Sequence, residues 1–159
     1  MKRIACILLL LPVLLLSACR GEPPTVKDAF TLSFTVSQDD VDYAGILDRT
    51  EDSLTVTMTA PYTVRGTAFC YRDGGLSIDY AAHSTQANCD YLPSKSIPTV
   101  LYNASAYLSQ AVYTESRDGE DHFTLPSPYG DTQLTVADGI PVQLCDPYSG
   151  LSFSFDIPS

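Results

Sequence analysis

The feature that most constrains the fold of this chain is a one-by-one alternation of apolar and polar residues. Every second residue of segment 30–36 is Phe, Leu or Val, and the residues between are Thr or Ser; segment 54–60 repeats the pattern. Successive side chains of a strand point to opposite faces of a sheet, so this period of two predicts β-strands with one buried face. By the same reasoning, strands are predicted over 30–36, 41–49, 54–60, 62–71, 76–80, 122–125, 133–136, 140–145 and 151–157.

Between the fifth and sixth predicted strands the apolar spacing changes to that of a helix. The apolar residues after Pro98 recur three or four positions apart, which predicts an amphipathic helix over about residues 97–112 with Ser96 as its N-cap. The first five strands, joined by tight turns such as Asp73-Gly74-Gly75, read as an antiparallel meander. The expected fold is mainly β (a β-rich α+β class). It is an antiparallel half-barrel or open barrel of about eight or nine strands, with the helix on its concave face.

The amino terminus carries a targeting pattern. Lys2-Arg3 precedes an apolar run from Ile4 to Leu16, which ends in Leu16-Ser17-Ala18-Cys19. A basic start, an apolar run too short to span a bilayer, and small residues before a cleavage point are typical of a secretory signal peptide. With Cys19 at the first mature position, the segment resembles the lipobox of bacterial lipoprotein precursors. That resemblance implies cleavage after Ala18 and a diacylglyceryl group on the Cys19 thiol.

Three regions follow from this pattern: a signal peptide over 1–18, a lipidated Cys19 with a short tether over 19–27, and one β-rich domain over 28–159. Removing the first 18 of 159 residues leaves 141, the size of one common domain. The expected location is extracytoplasmic, with the membrane as partner through the lipid on Cys19. Arg20 rather than Asp after Cys19 is compatible with outer-membrane sorting in a cell that has two membranes.

The charge balance excludes one class of partner. Lys2 and Arg3 are two of the nine basic residues, so the mature chain holds seven basic against 19 acidic groups. Nucleic-acid binding needs a basic stripe that displaces counterions, and no such stripe is present. We therefore expect no nucleic-acid partner.

The sequence also offers no pattern for catalysis or for a metal. It lacks a G-x-S-x-G elbow, an H-E-x-x-H helix and a glycine-rich phosphate loop, and its two histidines lie in separate segments. Cys70, Cys89 and Cys145 remain in the mature chain at spacings that do not suit zinc; one disulfide, in any of three pairings, stays open. We expect a protein that is not an enzyme and has neither cofactor nor metal.

Several phrases resemble a known superfamily. Tyr43-Ala44-Gly45-Ile46-Leu47, the Thr-rich segment 54–61, Val64-Arg65-Gly66-Thr67-Ala68-Phe69 and Asp73-Gly74-Gly75-Leu76 are similar to small lipoproteins of the lipoprotein-carrier type, LolA-like and LolB-like. The likeness extends over about residues 28–157. It implies an antiparallel half-barrel that holds acyl chains in an apolar cavity.

Strand and helix parity gives the residues expected to line such a cavity. They are Phe34, Leu47, Val56, Met58, Val64, Ala68, Ile78 and Tyr80 on strands, Leu101, Ala104 and Leu108 on the helix, and Phe153 and Phe155 near the end of the chain. The function expected is that of a membrane-anchored lipoprotein that binds or accepts a lipid, an acylated ligand or another apolar ligand. The alternative is a non-enzymatic structural or protein-interaction lipoprotein of the cell envelope, with a protein partner there.

Overall fold

The computed structural model describes residues 23–157, which form one sheet and one α-helix. The strands are β1 (Phe30–Gln38), β2 (Val41–Arg49), β3 (Ser53–Ala60), β4 (Ala68–Arg72), β5 (Gly75–Tyr80), β6 (His83–Asn88), β7 (Val112–Arg117), β8 (Glu120–Leu125), β9 (Thr132–Ala137), β10 (Ile140–Asp146) and β11 (Leu151–Asp156). The helix α1 is Ile97–Ala106, with 3₁₀ turns at Cys89–Tyr91 and Leu108–Gln110.

All eleven strands belong to one antiparallel sheet in the order β6-β5-β4-β3-β2-β1-β11-β10-β9-β8-β7. The chain meanders from β1 to the edge strand β6 and then, through the segment that contains α1, reaches the opposite edge at β7. It returns by meander to β11, which pairs with β1 so that Phe34 lies opposite Phe155 and Val36 opposite Phe153. Within residues 23–157 the two edge strands do not pair, so the sheet is open.

One face of the sheet, here called the inner face, carries the core. Its strands contribute alternate buried residues such as Leu32, Phe34, Val56, Leu144 and Phe153. The first half of α1 packs on this face, and Ile97, Val100 and Leu101 are buried there in the same cluster. The outer face is rich in Ser and Thr, as expected for an antiparallel sheet with one wet face.

The predicted count of eight or nine strands is too low, because β6 and β7 were not expected. All six residues of β7 are exposed, and five of the six in β6. A strand with both faces in water has no reason to alternate apolar and polar residues, so the period that identifies the other strands is missing at the two edges.

Two predicted elements have different bounds in the structure. The strand expected over 62–71 begins only at Ala68, since residues 61–66 form a turn. The helix has its N-cap at Ser96 and Pro98 in its first turn, but it ends at Ala106 instead of continuing to 112. Leu108 continues the apolar spacing from a 3₁₀ turn, and Val112 already belongs to β7.

No helix among residues 23–157 is long and apolar enough to cross a membrane. The predicted signal peptide, Cys19 and the first part of the tether lie outside the described residues. The described part of the tether approaches the β9–β10 turn, where the Lys27 amide donates a hydrogen bond to the carbonyl oxygen of Gly139 over 2.9 Å.

Candidate functional site

A small apolar cavity, here called the slot, lies between α1 and the inner face. Its walls are Phe30, Leu47, Leu54, Leu101, Ala104, Leu108, Leu125, Leu134, Pro141, Leu144 and Phe155, with Arg49 and Ser105 as its polar members. Its volume is about 30 Å³. That is the share of volume of one water molecule in the liquid, so the slot as the structure has it leaves no room for an acyl chain.

Arg49 ties the carboxyl half of α1 to the sheet. Arg49 is the last residue of β2 and lies two positions after Leu47, so both side chains point to the inner face. Only 12% of the Arg49 side chain is exposed. Its Nε donates to Ser105 Oγ over 2.8 Å, and its Nη1 donates to the carbonyl oxygen of Asp28 and lies 3.8 Å from the Asp28 carboxylate. Burial lowers the pKa of Arg49, and the charge of Asp28 opposes part of that shift.

The structure brings five of the thirteen predicted cavity residues together around the slot. These are Leu47, Leu101, Ala104, Leu108 and Phe155. Phe34, Val56 and Phe153 are buried on the inner face outside the slot, and Ile78 packs at the border of the same core. Met58 and Val64 lie beside the amino-terminal end of α1, where they line a shallow groove with Ile97; Val64 belongs to the turn before β4 and not to a strand.

Two predicted cavity residues are misplaced. Ala68 lies opposite Thr57 in the β3–β4 register and therefore points to the outer face. The predicted strand took its phase from Val64 and Gly66, which lie in a turn, and this reversed the two faces of β4. Tyr80 shares the inner face with Ile78 but sits at the end of β5, where it is 52% exposed.

The reversed phase of β4 hid two inner-face aromatic residues, Phe69 and Tyr71. Phe69 lies opposite Val56, and Tyr71 lies opposite Leu54. Tyr71 is buried and stacks on Tyr102 of α1, with ring centroids 4.3 Å apart and an interplanar angle of 14°. Once the strand is known to begin at Ala68, the alternation of Phe69, Cys70 and Tyr71 predicts correctly which of these side chains face inward.

The Tyr71 hydroxyl is a buried polar group without a hydrogen-bond partner in the described chain. Burial, followed by the nearby Cys89 thiol, raises the pKa of Tyr71 well above its ordinary value. The Thr99 hydroxyl lies near enough to offset part of this rise, although it forms no hydrogen bond of normal geometry with Tyr71. The Thr99 hydroxyl itself lies 2.9 Å from Ser96 Oγ. The pKa of Tyr102 is also raised, chiefly by burial.

A second, polar cavity adjoins the slot and is here called the polar cleft. It has a volume of about 250 Å³ and lies among the β2–β3 turn, the β4–β5 turn and the carboxyl half of α1. Its charged members are Arg49, Glu51, Asp52, Arg72 and Asp73. Arg49, Leu54 and Ser105 contribute to the walls of both cavities.

Neither cavity contains a recognisable catalytic or metal-binding arrangement. Among residues 23–157, no group of three or more His, Cys, Asp or Glu side chains is placed to hold a metal ion. Cys70, Cys89 and Cys145 are free thiols in this structure. The Cys70 sulfur lies 3.7 Å from Asp79 Oδ2, and the Cys145 sulfur lies 3.3 Å from Ser152 Oγ.

No family model and no curated protein matches the sequence. The chain is similar in architecture to several solved structures, of which three illustrate the likeness. A LolA superfamily protein from Nitrosomonas europaea is 14% identical with a TM-score of 0.48, and the match covers 87% of this chain and 90% of that one. A domain named for outer membrane lipoprotein sorting from Vibrio parahaemolyticus is 12% identical with a TM-score of 0.44, covering 82% and 83%.

A structure of the CwlD amidase with the GerS lipoprotein from Clostridioides difficile contains a chain that is 15% identical with a TM-score of 0.41, covering 76% of this chain and 78% of that one. The first of these descriptions names the superfamily that the sequence phrases resemble. No statement about ligand, activity or partner follows from likenesses of this size.

Proposed function

We propose that this chain is a lipid-anchored extracytoplasmic protein that binds an acyl chain or another apolar ligand on the inner face of its sheet, beneath α1. It acts without catalysis. The slot is the observation that carries the proposal: a space between helix and sheet whose walls are Leu, Phe, Ala and Pro except for Arg49 and Ser105. Water finds few hydrogen-bond partners in such a space, whereas each ligand methylene group buried there contributes about 0.8 kcal/mol to the free energy of binding.

Ligand entry requires α1 to move, because the closed slot is no larger than one water molecule. The burial of the helix is uneven in a way that favours movement of its second half. Residues 97–101 are all buried, whereas residues 102–106 are half-buried or exposed. The hydrogen bond from Arg49 to Ser105 is one side-chain link that such an opening would break, and a bond of this kind contributes about 1.5–3 kcal/mol.

The anchor in this proposal is the lipid on Cys19. Three residues separate Cys19 from the first described residue, Pro23, so Pro23 stays within about 14 Å of the anchor at about 3.5 Å per residue. A ligand that leaves the bilayer would then meet the domain without crossing free solution. The location that follows is the outer surface of a membrane in the cell envelope.

Lipid extraction tests this function. The mature chain with Cys19→Ser, made without residues 1–18, keeps the whole described sheet and its core. We expect this protein, purified without detergent, to carry lipid that organic extraction and mass spectrometry detect, or to take up a fluorescent fatty acid with saturation. Protein that carries no lipid and takes up no fatty acid would refute the proposal.

A protein-interaction role is the second candidate, and the edge strand β6 favours it. This strand pairs with β5 along its whole length, and its sequence, HSTQAN, contains no Lys, Glu, Asp or Pro. Natural edges are usually protected by charges, proline or bulges. The opposite edge, β7, has a bulge near Thr114 and carries Glu115 and Arg117. If β6 is a docking edge, crosslinking in cells should yield a discrete protein partner at β6, and Thr85→Pro should abolish it.

A further inference from the structure

We propose that the edge strand β6 pairs with β6 of a second copy of this chain, antiparallel and across a two-fold axis at Gln86. This inference rests on the second candidate function, in which β6 is a docking edge, and it names the partner. It does not depend on ligand binding in the slot. Three features support it: the free backbone groups of β6, the side chains of that strand, and the contrast with β7.

The backbone of β6 presents a regular set of unpaired groups. Tyr80 and His83 flank a two-residue turn and lie opposite each other in the β5–β6 register. Residues in this position form a hydrogen-bonded pair, and hydrogen-bonded and non-hydrogen-bonded pairs alternate along an antiparallel ladder. Ser84, Gln86 and Asn88 therefore turn their amide and carbonyl groups toward the open edge. Within residues 23–157, no strand pairs with that side of β6.

A second copy of β6 satisfies all of these groups at once. The outward-facing residues are evenly spaced about Gln86, so a two-fold axis there places Gln86 opposite its counterpart and Ser84 opposite Asn88 of the second copy. Each such pair exchanges two backbone hydrogen bonds. Thr85 then lies opposite Ala87 of the second copy. Both of these side chains point to the inner face, so the pairing continues the two faces of the sheet without a break.

The side chains of β6 do not oppose self-pairing. The whole chain has a formal net charge of −10, but HSTQAN contains no Asp, Glu, Lys or Arg. Asp79 is the one carboxylate of β5, where it lies opposite Ser84. In the dimer its counterpart would be three strand spacings away, or at least about 14 Å. That exceeds the Debye length of about 8 Å at physiological ionic strength. Asp90 belongs to the 3₁₀ turn after β6 and lies beyond the paired residues.

The opposite edge of the sheet is built differently. β7 has a register shift between Tyr113 and Glu115, and it carries the charges of Glu115 and Arg117. Bulges and charges of this kind prevent edge-to-edge pairing. Because only β6 is open to pairing, two copies that join there form a closed dimer and leave no second edge from which a filament could grow.

Sedimentation equilibrium of the mature Cys19→Ser chain tests the dimer. Contact along one strand makes a small interface, so we expect dimers at about 500 µM and monomers at about 5 µM. Gln86→Pro removes an outward-facing amide but no bond to β5, and it should weaken association by about tenfold or more. Ser116→Pro is the control. It places a proline at the outward-facing position next to the β7–β8 turn, and it should leave association unchanged.

Gln86→Cys tests the register. On the two-fold axis the Cα atoms of both copies of residue 86 lie about 5.5 Å apart, within disulfide range. Ser84→Cys instead faces Asn88 of the second copy. We expect mild oxidation to give covalent dimers of Gln86→Cys, and none of Ser84→Cys or of the parent with its native cysteines.

A chain that stays monomeric at all concentrations, or a dimer that Gln86→Pro leaves intact, would overturn self-pairing through β6. Failure of Gln86→Cys to crosslink would overturn the axis at that residue. If the chain is monomeric but crosslinking in cells captures a different protein at β6, the second copy is the wrong partner and the docking function stands. If nothing is captured at β6 either, both are wrong.

Discussion

Phe34 lies directly opposite Gly45 on the neighbouring strand, and its ring occupies the space that a side chain at Gly45 would need. A Cβ atom at Gly45 would lie 2.5 Å from two ring atoms of Phe34 and 2.6 Å from the carbonyl oxygen of Thr57. Real Cβ atoms do not approach other atoms so closely. The glycine therefore allows a phenylalanine to lie flat in the centre of the inner face.

This contact predicts that Gly45→Ala destabilises the protein by about 1–3 kcal/mol, because the added methyl group overpacks the core. Gly75→Ala is the control, since Gly75 is also a strand glycine and its added Cβ would lie 3.4 Å from its nearest neighbour, the Arg72 carbonyl oxygen. We expect it to change the free energy of unfolding by no more than about 0.5 kcal/mol. Denaturant unfolding measures both, and equal effects would contradict the packing described for Phe34.

Asp146 is a buried carboxylate that holds the β10–β11 turn. Its oxygens accept hydrogen bonds from Thr132 Oγ1 over 3.0 Å and from the Ser149 amide over 2.9 Å. Asp146→Ala leaves both donors without an acceptor, and we expect a loss of about 1.5–3 kcal/mol in the free energy of unfolding. Asp131→Ala, an exposed position in the adjacent β8–β9 turn, should cost less than about 0.5 kcal/mol. A loss at Asp146 no larger than that at Asp131 would show that these bonds do not stabilise the turn.

Tyr71→Phe tests the orphaned hydroxyl. At pH 7 we expect the variant to be as stable as the parent or more stable by up to about 1 kcal/mol, because it removes an unpaired buried polar group. As a comparison, Tyr113→Phe removes a hydroxyl that lies 2.9 Å from Ser116 Oγ. A loss of more than about 1 kcal/mol on Tyr71→Phe would mean that the hydroxyl is hydrogen-bonded after all.

The same variant should change the response to alkali. The folded-state pKa of Tyr71 is raised, so above pH 10, near the ordinary tyrosine pKa, the unfolded chain loses this proton while the folded chain keeps it. The free energy of unfolding therefore falls as pH rises through this range. We expect a shallower fall in Tyr71→Phe than in the parent, measured by urea unfolding between about pH 9 and 11. Because the pKa of Tyr102 is also raised, part of this fall in the free energy of unfolding remains in both proteins.

Much of the sheet could be predicted from the sequence because most strands are buried on one face only. The Asp73-Gly74 turn was also predictable: both residues have positive φ, 51° and 74°, as the hairpin requires. The edge strands β6 and β7 could not be predicted in the same way, since neither has a buried face that would impose alternation. The end of α1 was misread because Leu108 packs into the slot from a 3₁₀ turn, which imitates one more helical turn.

The candidate site was harder to predict than the fold. Its apolar walls follow from parity wherever the bounds of a strand are known, as for Leu47 and Phe155. Arg49 was missed because a charged residue at a strand end is usually exposed, and only the tertiary contacts with Ser105 and Asp28 explain its burial. The polar cleft combines two turns with the end of a helix, and no local pattern in the sequence brings these segments together.

The most direct test of ligand binding beneath α1 is a comparison of Ala104→Leu with Asn103→Leu. Ala104 lines the slot, whereas its neighbour Asn103 on the same helix does not. Uptake of a fluorescent fatty acid by the mature Cys19→Ser chain should weaken by about tenfold or more in Ala104→Leu, because the larger side chain fills the space that the ligand must enter. It should be unchanged in Asn103→Leu. Equal uptake by both variants and the parent would contradict binding in the slot.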